Sequence, residues 1–166
     1  YNGHYHHLEA INRARRAGSI ENLIRGEGIT DGILAACTAR NVPYVLAGSI
    51  RDDGPLPGVI SDVYDAQAAM REHTMKATTV ITLATQLHSI ATGNMTPTWQ
   101  KVGDEIRPVY IYSVDVSEFA VNKLHDRGSL SVKTLVTNVQ DFLSGVARGL
   151  AVEKDGKAEL REVKTA

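Results

Sequence analysis

The chain has 166 residues and a mass of 18.0 kDa, enough for one domain of ordinary size. Its 43% hydrophobic and 22% charged residues exclude a disordered chain, a collagen-like repeat or a coiled-coil rod. The net charge of −1 supplies no field to hold nucleic acid or an anionic membrane, the single cysteine, Cys37, excludes a disulfide framework, and no apolar run approaches the roughly 20 residues of a membrane helix. A soluble, cytoplasmic protein is expected, one without nucleic-acid or membrane partners.

Residue 1 is Tyr rather than Met, which predicts that the chain is an N-terminally truncated part of a longer protein. The spacing of Leu8, Ile11, Ala14 and Arg15 predicts a helix to Ala17, stopped by Gly18. Asp31 stands where it can cap a second helix ending near Asn41. Tyr44-Val45-Leu46-Ala47, introduced by Pro43, is short and apolar, the pattern of a buried parallel strand.

A turn-rich loop follows, Gly48-Ser49-Ile50-Arg51-Asp52-Asp53-Gly54-Pro55-Leu56-Pro57-Gly58. Ser61 or Asp62 can cap a helix to about His73. Thr78 to Ala84 is β-branched and predicts a second central strand, followed by a short helix between Gln86 and Ala91. Thr96 to Arg107 is polar and irregular, a surface excursion with the makings of a small hairpin.

Val109 to Val114 is the third predicted strand, with Ser117 able to cap a helix to about Arg127. Thr134 to Val136 is the fourth, and Val139 to Leu150 the last helix. Alternating strands and helices argue for an α/β layered sheet. We expect one domain over residues 1–151 and a polar C-terminal tail over 152–166.

Open parallel sheets bind ligands beyond the carboxyl ends of their strands, where helix N-termini direct free N–H groups. Polar residues stand at each of these ends: Ser49, Arg51, Asp52, Asp53 and Gly54; Thr85, Gln86 and His88, with Asn94 slightly later; Asp115 and Ser117; Thr137 and Asn138. This distribution suits a nucleotide-sized ligand lying along the sheet edge. Asp115, at a strand tip before a helix, either accepts the ribose hydroxyls of an adenosine or serves as the N-cap or a first-turn acid of that helix.

No Gly-x-Gly-x-x-Gly fingerprint, P-loop or Gly-x-Ser-x-Gly elbow occurs. Asp52 and Asp53 can bind a cationic amine or form an Asp-rich turn closed by Arg51. His88 is placed for acid–base work or is an ordinary core or surface histidine. The cluster His4, His6, His7 lacks an acid or cysteine at ligand spacing, so no metal is expected.

Three stretches carry a family resemblance: His6-His7-Leu8-x-Ala10-Ile11-Asn12, Val42 through Pro57, and Leu87-His88-Ser89-Ile90-Ala91-Thr92-Gly93-Asn94-Met95. Together they resemble the NAD-binding domain of the archaeal-type ornithine cyclodeaminase family. The same domain looks like the C-terminal half of cyanobacterial bifunctional enzymes that turn arginine into proline. The family is also connected with a conserved region of lysine-ketoglutarate reductase/saccharopine dehydrogenase. Asp53-Gly54-x-Leu56 and the bend at Thr85 are more distantly similar to deoxyhypusine synthase.

The resemblance implies a three-layer Rossmann-like parallel sheet with helices on both faces, NAD as cofactor, and conversion of L-ornithine to L-proline and ammonia. Within it, Asp53 and His88 are expected in catalysis, and Arg51, Asp52, Asn94 and His7 at the substrate. Gly48, Ser49, Asp53, Gly54, Thr85, Asp115 and Asn138 are expected at the cofactor. An NAD-sensing or oligomerising domain, and an enzyme acting on lysine or saccharopine, remain the alternatives, and a homo-oligomer is compatible with either.

Overall fold

The computed structural model describes residues 3–48, 56–125 and 131–150. The expected C-terminal tail lies outside them. The chain divides into two compact units, residues 1–72 and 73–166.

The first unit is mainly helical. Helix α1 spans Gly3–Ala17 and therefore begins one turn earlier than the apolar spacing predicts. Helix α2, Ile20–Glu27, follows at once. Sequence reading passed over it, although its signals are local: Ser19 accepts a hydrogen bond from the Asn22 N–H at 3.0 Å, and Gly28 closes the helix in the left-handed region at φ +63°.

Helix α3, Ile33–Arg40, ends at Asn41 as expected. Asp31 accepts a bond from the Gly32 N–H, while the N-cap itself is Gly32, without a side-chain bond. Buried Ala14, Ile20, Ile24 and Ala35 pack together, joined by half-buried Leu23, Leu34, Leu46 and Leu56.

Leu46 explains the fate of the first predicted strand. Its side chain completes this helical cluster, and the segment forms only one parallel bridge, Ala47 to Ile60. Two hydrogen bonds of 2.8 Å hold that bridge, Gly48 N–H to the Ile60 carbonyl and Ile60 N–H to the Leu46 carbonyl. Helix α4, Val63–Thr74, starts where Asp62 accepts bonds from the Tyr64 and Asp65 N–H groups at 2.8 and 3.0 Å.

The second unit is built on a parallel sheet. Strands β1 (Thr79–Leu83), β4 (Tyr110–Asp115) and β5 (Val132–Val136) lie in the order β1-β4-β5. The register sets Val80 beside Ile111 and Ile111 beside Val132, so these three share one face.

Helix α5, Leu87–Met95, runs one turn beyond its predicted end. It packs against β1 and against α6, Glu118–His125, which in turn covers β4 and β5. Leu124 of α6 closes the shared face, and α7, Val139–Gly149, packs against β4.

The polar excursion is an antiparallel hairpin of β2 (Trp99–Val102) and β3 (Glu105–Pro108). It turns at Gly103, φ +62°, where a residue without Cβ avoids the left-handed penalty. The result is an α/β unit with a parallel sheet, the class the alternating pattern predicts.

Candidate functional site

The carboxyl ends of β1, β4 and β5 form one edge of the sheet. Leu83 stands beside Val114, and Asp115 beside Val136. The pairing continues one residue past the strands on both sides. The Ala84 N–H donates to the Val114 carbonyl and the Thr137 N–H to the Asp115 carbonyl, each at 2.9 Å. Neighbouring strands lie about 4.8 Å apart, so these ends extend over about 10 Å, the scale of a nucleotide.

Each end leads into a helix whose first turn carries free N–H groups. Three of the predicted cofactor residues, Thr85, Asp115 and Asn138, therefore stand together along this edge with Asp115 in the middle.

Asp115 is half-buried, and its Oδ1 accepts a 2.8 Å hydrogen bond from the Ser117 N–H. It thus makes the side-chain bond at the entry to α6 that Ser117 was expected to make. Among the described residues its second oxygen has no hydrogen bond, leaving an acceptor at the sheet edge. Asn138 is the N-cap of α7: its Oδ1 accepts from the Gln140 N–H at 2.8 Å, which leaves the side-chain NH₂ as a donor.

The β1 end is arranged differently. Ala84 takes a left-handed conformation, φ +51°, sparsely populated by residues with a Cβ. Thr85 follows, half-buried, with its Oγ1 3.2 Å from His88 Nδ1. The hydroxyl of buried Ser89 donates to the Thr85 carbonyl. Gln86, the N-cap of α5, makes no side-chain capping bond. His88 is exposed and shares this edge with Thr85. Asn94 lies in the last turn of the same helix, six residues and about 9 Å of helical rise from His88.

In the first unit, His7 is an exposed residue of α1. At Gly48 the close approach of the Ile60 segment favours glycine: a Cβ there would stand 3.3 Å from the Ile60 carbonyl oxygen and 3.3 Å from Ser61 Cα, tight contacts with backbone. Ser49, Arg51, Asp52, Asp53 and Gly54 lie outside the described residues.

Among the described residues a large electrostatic perturbation falls at Tyr44, four residues before Gly48. Its hydroxyl donates to Glu21 at 2.7 Å. That hydrogen bond to a carboxylate, reinforced by partial desolvation, pushes the phenol up to about 12. The same bond lowers the Glu21 carboxyl.

Sequence reasoning placed Thr85 and His88 at one strand end but missed their contact and the Ser89 bond beneath it, and it missed the Tyr44–Glu21 pair. The first has a legible signal, Thr-x-x-His-Ser at a strand-to-helix junction. The second joins residues 23 positions apart and has no local signature.

Residues 1–146 match the family described as arginine dihydrolase ArgZ-like, C-terminal, Rossmann fold. An ornithine cyclodeaminase from Methanopyrus kandleri is 46% identical over 156 residues, covering 94% of this chain and 36% of that protein. Among solved structures, a conserved LOR/SDH protein from Methanococcus maripaludis superposes with a TM-score of 0.79 at 42% identity, over 90% of this chain and 42% of that one. The ternary complex of AgrE with ornithine and NAD+ superposes with a TM-score of 0.78 at 40% identity, over 92% of this chain and 21% of that one. The chain thus spans between about a fifth and two fifths of the length of these relatives.

Proposed function

Because the chain belongs to the family of ArgZ-like C-terminal Rossmann-fold domains, we propose that residues 1–151 form the NAD-binding part of a cytoplasmic ornithine cyclodeaminase, converting L-ornithine to L-proline and ammonia in proline formation. The observation that carries this reading is the single carboxyl edge shared by Thr85, Asp115 and Asn138, in a fold related at 40% identity to one solved with ornithine and NAD+.

Asp115 suits a ribose: one oxygen is engaged by the Ser117 N–H, and the other can accept from a sugar hydroxyl. Asn138 and the first turns of α5 and α7 supply amide and N–H donors for the pyrophosphate, and Thr85 lies beside them at the same cofactor edge. Gly48, Ser49, Asp53 and Gly54 are assigned to the same cofactor.

When bound, NAD+ supplies a hydride acceptor at the substrate α-carbon and returns the hydride at the end, leaving no net redox change. The chain's residues then handle charge and protons. Arg51 pairs with the substrate carboxylate, and Asp52 or Asp53 holds a cationic amine. Asn94 and His7 are assigned to the substrate, and His88 accepts and returns protons at the nitrogen atoms.

Calorimetry with NAD tests the cofactor reading. Asp115→Asn keeps an acceptor for the Ser117 N–H, so circular dichroism is expected to stay unchanged while the Kd for NAD rises about tenfold. An unchanged Kd removes Asp115 from the ribose site. For the reaction, His88→Ala in the full-length protein is expected to lower ornithine-dependent ammonia release by about 10² or more. NAD binding with no ammonia release favours the sensor alternative, and turnover of lysine or saccharopine instead of ornithine favours the other.

A further inference from the structure

We propose that Thr85 is the positioning residue for His88, fixing the imidazole through Nδ1 so that Nε2 is the nitrogen that exchanges protons at the sheet edge. This rests on the assignment of His88 to proton transfer made above.

Thr85 stands one residue before Gln86, the N-cap of α5, so its hydroxyl is not committed to capping the helix. Here Thr85 Oγ1 instead meets the ring of His88 at 3.2 Å, and α5 begins without a side-chain cap at Gln86. The hydroxyl is thus available to hold the imidazole.

The support beneath the hydroxyl is equally specific. Ser89, only 2% exposed, donates its hydroxyl to the Thr85 carbonyl. Ala84 enters from β1 in the left-handed region, φ +51°, with its N–H tied to the Val114 carbonyl at 2.9 Å. Thr85 is therefore fixed from both sides, by a sheet bond at the preceding residue and a helix bond at its own carbonyl.

The chemistry of a hydroxyl suits the task. It donates to Nδ1 when the ring is neutral, leaving the proton on Nε2, and accepts from Nδ1–H when the ring is protonated. One orientation of the ring thus serves both the uptake and the return of a proton. A carboxylate in the same place could only accept, and would favour the imidazolium.

The test pairs a ring readout with turnover. In the chain labelled with ¹⁵N-histidine, His88 is expected to show the Nε2–H tautomer. Thr85→Val removes the hydroxyl at nearly constant shape and is expected to give a tautomer mixture, with Thr85→Ser restoring the single form. In the full-length protein, Thr85→Val is expected to lower kcat about tenfold with the KM for ornithine within about twofold, and Thr85→Ser to recover most of the loss. Should Val not be accommodated, Thr85→Ala gives the same readout.

If His88→Ala abolishes turnover while Thr85→Val leaves both the tautomer and kcat unchanged, the positioning role is wrong and the proton-transfer assignment stands. If His88→Ala leaves turnover unchanged, the assignment itself falls, whatever Thr85 does to the ring.

Discussion

The sheet face made by Val80, Ile111 and Val132 is sealed by Leu124, which is 1% exposed. At the carboxyl edge of the same strands, Thr85, Asp115 and Asn138 are half-buried or exposed, and each makes a hydrogen bond to a ring or a backbone N–H. On the face, apolar side chains are selected by shape and by removal from water. At the edge, one side chain can serve two partners, ending a strand or starting a helix with one atom while offering another outward. Substitutions on the face should therefore change stability alone, whereas those at the edge should separate stability from binding.

The largest effect is expected at Leu124. Leu124→Ala removes the side chain that closes the face and should cost about 2–5 kcal/mol in denaturant unfolding. Gly93 of α5 sharpens the point, because a Cβ built there would overlap Leu124 Cδ1. Gly93→Ala is thus expected to destabilise the wild type despite its better helix propensity, and to be tolerated, or even favourable, beside Leu124→Ala. Under conditions where these variants are folded, NAD affinity should match wild type. A parallel loss of affinity would mean that face and edge are not separable.

Much of this division was legible in the sequence. β-branched Thr78 to Leu83 and the apolar run from Val109 announced β1 and β4, and the polar residues following them announced the edge, because a parallel strand must end where its apolar pattern ends. What stayed hidden depended on contacts between distant residues. Tyr44 to Ala47 has the composition of a buried strand, yet Leu46 packs among helices, and composition cannot tell one apolar neighbour from another. Helix α2 was overlooked because Gly18 looked like the end of helical structure rather than a joint before Ser19. The pattern at Asp115 fits a ribose ligand and a helix-start acid equally, and the bond to Ser117 shows why: one oxygen serves the helix start while the other remains an acceptor.

Asn138 sits on the boundary and should give a medium effect. Asn138→Ala removes the α7 N-cap and is expected to cost about 1 kcal/mol, together with a several-fold loss of NAD affinity if the amide meets the cofactor. Asn138→Ser retains a good cap and lacks the amide, so it should keep the stability while still losing affinity. If Ser restores both, Asn138 is a cap and nothing more, and this end of β5 belongs with the structural face.

Tyr44 provides the smallest effect and the control: a polar bond that is reachable by solvent, yet assigned no ligand. The phenol is raised to about 12 from an ordinary 10, so the stability it contributes is fully present below pH 10 and is lost as pH rises through its folded value. The Glu21 carboxyl is lowered from 4.5, so its contribution is present above that value and is lost as pH falls through the lower, folded one. Tyr44→Phe should accordingly lower Tm by roughly 1–3 °C near neutrality, with the difference from wild type shrinking in acid. In an absorbance titration of the phenolates, one of the six tyrosines should ionise last in the wild type and be missing from the variant. NAD affinity should not move. If it does, the Tyr44–Glu21 bond supports binding as well as the fold, and a polar bond of the first unit would carry the dual role assigned here to the edge alone.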